Sequence, residues 1–114
     1  MTNLIKPVLK EKLQLSQLDL FSHGDPCLRQ KLVELMIENI LELQYALRAS
    51  IEQCNQVIFQ KTSHKVNTTL GIIDSPELMD FVEDLKNCSI DSDMVANFNQ
   101  LCETIIKTLN EEMR

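Results

Sequence analysis

Across residues 27–49 apolar side chains return at three- and four-residue steps: Leu28, Leu32, Leu35, Met36, Ile40, Leu43 and Leu47. Glu34, Glu38 and Gln44 fall off that line. The spacing predicts a long helix with one continuous apolar stripe. Upstream, "SQLDLFSHGD" reads as a short helical segment over residues 16–24, with Gly24 suited to the left-handed conformation that closes helices. Asp25 is placed to cap the long helix, and Pro26 takes its first position, where a missing N–H costs nothing. The stripe loses phase over residues 50–55, and Asn55 can cap a further helix running to about residue 72. "DSPEL" offers an Asp74-x-x-Glu77 capping box and Pro76 in the first turn of a helix with Leu78, Met79, Val82 and Leu85 inward. "NCSIDSD" breaks that helix. The last one, from about residue 92, repeats Met94, Val95, Phe98, Leu101, Cys102, Ile105, Ile106 and Leu109 in a core-facing heptad pattern.

Four amphipathic helices on short connections can bury their stripes only against one another, and short loops make neighbours antiparallel. The expected fold is therefore all-α: an up-down-up-down four-helix bundle with a short additional N-terminal helical segment. At 114 residues the chain fits one domain, with residues 1–15 as an N-terminal arm. Two glycines, three prolines and no tryptophan speak against a turn-rich β architecture.

A net charge of -6 disfavours nucleic acid, whose phosphates need a basic face. Cys27, Cys54, Cys88 and Cys102 are widely spaced, form no C-x-x-C pair and lack the histidine spacing of a zinc site, so they are read as reduced, with Cys102 in the core and no metal bound. Lys6, Pro7, Lys10, Glu11 and Lys12 interrupt any signal-like apolar run at the N-terminus, and no uncharged stretch nears the ~20 residues that span a bilayer. The expectation is a soluble cytoplasmic chain without membrane contact.

Candidate chemistry gathers in "QKTSHKVNTTLG", residues 60–71. At 100° per residue, Phe59, Thr62, Val66 and Ile73 lie roughly 140° to 180° from His64, with Ile58 and Leu70 about 120° away on either side. Gln60, Lys61, Asn67, Thr68 and Gly71 lie within about 60° of His64, and Lys65 flanks it at about 100°. The imidazole is thus expected to face water. A neutral imidazole is a competent nucleophile, and Lys61 and Lys65 would face any anion carried on it. Periodicity alone favours an ordinary surface histidine over a functional one. His23, in "SHGDP", belongs to a turn and is read as structural.

Those residues resemble the histidine phosphotransfer (HPt) domain, the phosphocarrier module of multistep two-component relays. The resemblance covers about residues 16–110. "HGDPCLRQKLVELMIENILELQYALRASIEQCNQ" is similar to the family's Gly-Asp turn and long helix, and "SHKVNTTLG" to its phosphoacceptor signature, histidine-x-leucine-lysine-glycine followed by small residues and a glycine. His64 matches the phosphorylated histidine, Val66 the apolar position two further on, Thr69 a small residue and Gly71 the later glycine. Asn67 stands where the family has lysine, and Thr68 where it has the glycine that lets a receiver approach; Lys65 matches a second lysine the family often carries there.

The resemblance implies a phosphoprotein that accepts a phosphoryl group on His64 from a receiver-domain aspartyl phosphate and passes it on. Lys61 and Lys65 would stabilise its charge, and Gln60, Asn67, Thr68 and Gly71 would dock the receiver. Response-regulator receiver domains or a hybrid histidine kinase are the implied partners, and the catalytic Mg2+ belongs to the receiver alone, so the chain needs no cofactor. No glycine-rich nucleotide loop or P-loop is visible, so the chain reads as a carrier and not an enzyme with its own ATP site. It is expected to be a monomer. Asn67 and Thr68 also motivate an alternative, a non-catalytic helical-bundle adaptor that binds receivers or kinases without phosphotransfer. Dimerisation through Leu4, Ile5, Val8 and Leu9 of the arm is compatible with either.

Overall fold

The computed structural model describes residues 16–87 and 90–112, which form six helices without a strand among the described residues. They are α1 (Ser16–Ser22), α2 (Pro26–Glu52), α3 (Val57–Lys65), α4 (Asn67–Ile73), α5 (Pro76–Asn87) and α6 (Ser92–Glu112). The N-terminal arm and its proposed dimer contacts, like Cys88, lie outside the described residues.

The sequence's stop and start signals operate through identifiable atoms. His23 and Gly24 both take left-handed φ values, 53° and 77°, and turn the chain out of α1. Asp25 then caps α2, its Oδ1 accepting from the N–H of Cys27 at 2.9 Å and of Leu28 at 3.4 Å, with Pro26 as first residue. Asp25→Ala is expected to lower the unfolding free energy by about 1 kcal/mol, because two first-turn donors lose their side-chain acceptor; urea unfolding reads the change.

At the far end α2 runs to Glu52, three residues beyond the expected stop. Cys54 supplies the left-handed residue, φ 50°, that a glycine more often provides, and the Asn55 N–H returns to the Ser50 carbonyl at 2.9 Å, closing the helix end. Asn55 stands one residue before Gln56, the cap position of α3, and its Oδ1 accepts from the Val57 N–H at 3.1 Å at the start of that helix.

Three expectations need correction. The helix expected from Asn55 to residue 72 is not continuous, since Val66 (φ -98°, ψ 15°) divides it into α3 and α4. The residues there, Val66, Asn67, Thr68 and Thr69, all have modest helix propensity, and the β-branched ones lose rotamer freedom in a helix. The cap of α5 is Ser75, whose Oγ accepts from the Leu78 N–H at 3.3 Å; Asp74 sits one residue too early, in a left-handed conformation (φ 52°) that ends α4. Leu28 and Leu35, placed on the buried stripe of α2, are 37% and 48% exposed.

Packing is mutual. α2 lies against α3 and α6, α3 against α5, and α5 against α6, so the contacts close on themselves, while α1 and α4 pack on α2 and on each other. The centre holds Val33, Met36, Ile40, Leu43 and Leu47 of α2, Phe59 of α3, Leu78, Val82 and Leu85 of α5, and Phe98, Leu101, Cys102, Ile105 and Leu109 of α6. Phe98 meets Phe59 edge-on at 6.0 Å and Phe81 at 6.3 Å between ring centroids. Burial pushes the Cys102 thiol up to about 12, which keeps it protonated and inert as a nucleophile. Arg29 binds three elements together, donating from Nε to Asp19 Oδ1 (3.1 Å), from Nη2 to Glu112 Oε1 (2.6 Å) and from Nη1 to the Glu112 carbonyl (3.1 Å). Among the described residues no helix is long and apolar enough to cross a membrane.

Candidate functional site

His64 is the penultimate residue of α3, and what fixes its direction is the way the opposite side of that helix is held. Phe59 and Val66 are buried, as are Leu70 and Ile73 in α4. The Phe59 N–H donates to Ser50 Oγ at 2.9 Å in a buried bond, tying the first turn of α3 to the last turn of α2. On another side, Gln56 Nε2 donates to the Leu85 carbonyl at 2.6 Å and Gln60 Nε2 to the Lys86 carbonyl at 3.0 Å, using acceptors that the end of α5 leaves free. These tethers set the rotation of α3 about its own axis. His64 is exposed.

The other residues singled out from the sequence share that surface. Gln60, Lys61, Lys65, Asn67, Thr68 and Gly71 are all exposed, whereas Thr69 is buried. Among the described residues neither His64 nor Lys61 has a side-chain hydrogen bond or ion pair. Lys65 does have a partner: its Nζ lies 2.6 Å from Glu42 Oε2 on α2. A Cβ added at Gly71 would meet no heavy atom within 4 Å, so the fold does not require glycine there and the position is open to approach. Gln60 is committed in part to α5 through its amide.

The contribution of α2 was not legible in the sequence. Glu42 pairs with Lys65 just before the break at Val66, and Asn39 Nδ2 donates to Thr69 Oγ1 at 2.6 Å just after it. Both arms of the interrupted helix are therefore held to one face of α2. By helical count Leu35 shares that face of α2, roughly 20° from Glu42 but two turns, about 10 Å, along the axis from it toward the α4 side. Only the rotation of α2 could have named these residues, and a stripe of leucines broader than its buried part does not define that rotation.

Chemically, the arrangement presents a nucleophilic ring with one cation three residues before it and another immediately after it. Such a surface can receive an anionic group with little rearrangement of the backbone. Among the described residues no three His, Cys, Asp or Glu side chains cluster as metal ligands would. No protein-family model matches the chain, and neither a curated protein nor a solved structure does.

Proposed function

We propose that this chain is a phosphorelay intermediate of the HPt kind, with its helices acting as an up-down-up-down four-helix bundle that presents His64 to receiver domains. The observation that carries the reading is the exposed His64 between Lys61 and Lys65, on a helix buried on its reverse side at Phe59 and followed by the buried break residue Val66. The closed set of contacts among α2, α3, α5 and α6 supports the bundle.

In the proposed step the unprotonated ring nitrogen of His64 attacks the phosphorus of a receiver's aspartyl phosphate. A P–N bond forms, the bond from phosphorus to the aspartyl oxygen breaks, and the carboxylate leaves with the electron pair. An acyl phosphate already has a good leaving group, so positioning and charge neutralisation are the main requirements, and Lys61 and Lys65 supply the second. Onward transfer is the same step in reverse with another receiver. Gln60, Asn67, Thr68 and Gly71 form the docking surface. A small, mainly polar surface of this kind suits a transient contact of modest size. The partners are response-regulator receivers or a hybrid histidine kinase, met in the cytoplasm by a monomeric carrier.

The test is incubation of the purified chain with a panel of receivers carrying labelled aspartyl phosphate. Label stable to alkali and lost in acid is the expected product. Its absence with every receiver that loads another carrier rejects the proposal. Exposed Asn67 and Thr68, which depart from the family signature, favour a second reading as an adaptor; that reading requires receiver binding with no transfer of label.

A further inference from the structure

The Glu42–Lys65 ion pair places an acidic residue of α2 in control of a cation next to the candidate phosphoacceptor. We propose that Glu42 is a positioning residue: it holds Lys65 while His64 is bare and yields it when the ring carries phosphate, so that it sets the equilibrium share of phosphoryl group resident on this chain. This rests on the phosphocarrier reading above.

Three features point the same way. Lys65 follows His64 directly, about 100° round the helix, so a four-carbon stem can reach either α2 or a group on the ring by rotating side-chain bonds alone. The backbone has no comparable freedom, because Ser50–Phe59 on one side of the break and Asn39–Thr69 on the other tie α3 and α4 to α2. The pair is also wet, with the Lys65 side chain 69% and the Glu42 side chain 37% exposed, so its strength suits exchange. A phosphoryl group near neutral pH carries more charge and more acceptor oxygens than one carboxylate, and it outbids Glu42 for the ammonium. Lys61, with no ion-pair partner among the described residues, has no such competitor.

The readout is the equilibrium ratio of phosphorylated carrier to phosphorylated receiver, measured with both proteins dilute enough to be mostly unbound. A residue that only helps docking changes forward and reverse rates together and leaves this ratio alone. Glu42→Gln is expected to raise the ratio by about two- to fivefold, the weight of an exposed ion pair. In a Lys65→Met background the same substitution should have less than half that effect. A ratio unchanged by Glu42→Gln in a protein that does accept phosphate overturns the proposal while leaving the carrier function standing. An equal rise in both backgrounds also overturns it, since Glu42 would then act on the phosphoryl group directly. A wild-type chain that takes no phosphate from any receiver sinks the carrier reading and this inference with it.

Discussion

His64→Gln is expected to abolish acid-labile labelling while leaving the protein as stable as before. Glutamine keeps a polar side chain of moderate length but has no basic nitrogen to attack phosphorus, so transfer from a loaded receiver should fall to background. Stability should stay within about 0.5 kcal/mol, because the side chain is exposed and makes no hydrogen bond or ion pair among the described residues. The two measurements, label by gel autoradiography and stability by urea unfolding, belong together. Loss of label with unchanged unfolding assigns the chemistry to the ring; labelling of His64→Gln at the wild-type level places the acceptor elsewhere and ends the proposal. Partial loss with a lowered unfolding midpoint would mean that the histidine matters to packing, contrary to its position on α3.

The outward direction of His64 was readable beforehand because apolar residues within nine positions of it in sequence mark the opposite side. Phe59, Val66, Leu70 and Ile73 define the buried side, and counting 100° per residue places the imidazole opposite. The break at Val66 did not spoil that count, since α4 continues to bury Leu70 and Ile73. Other features depended on partners that one helix cannot name. Leu28 and Leu35 fit the stripe of α2, yet the stripe is wider than the surface its neighbours cover, and the surplus leucines meet solvent. The Asp74-x-x-Glu77 pattern satisfies a capping rule on paper, but Ser75 lies next to Pro76 and takes the cap because the chain reaches α5 through a left-handed Asp74. Glu42 and Asn39 are polar positions along a helix rich in them, and nothing local distinguishes them from Glu34 or Glu38. Their meaning arises from the rotation of α2 against α3, which is settled by packing.

Phe98→Ala is the complementary case, with a large effect on folding and an indirect one on function. Phe98 is fully buried on α6 and reaches across to Phe59 of α3, edge-on with an interplanar angle of 84°, and to Phe81 of α5. Truncation removes a large buried side chain, leaves a cavity between three helices, and forfeits an aromatic contact worth about 0.5–1.5 kcal/mol beyond its area. The expected loss is about 3–5 kcal/mol, a substantial part of the 5–15 kcal/mol typical of a small protein, and the midpoint in urea should fall accordingly. His64 lies five residues after Phe59 on the same helix, so the ring remains correctly presented in those molecules that stay folded. Labelling per folded molecule should therefore match the wild type at low temperature without denaturant, and total labelling should decline along the unfolding curve as urea is added. If Phe98→Ala instead reduced labelling while the protein remained fully folded, the rotation of α3 would depend on the aromatic contact more than on the Ser50, Gln56 and Gln60 hydrogen bonds. Under that outcome the presentation of His64 would be a property of the core and not of the polar tethers that ring it.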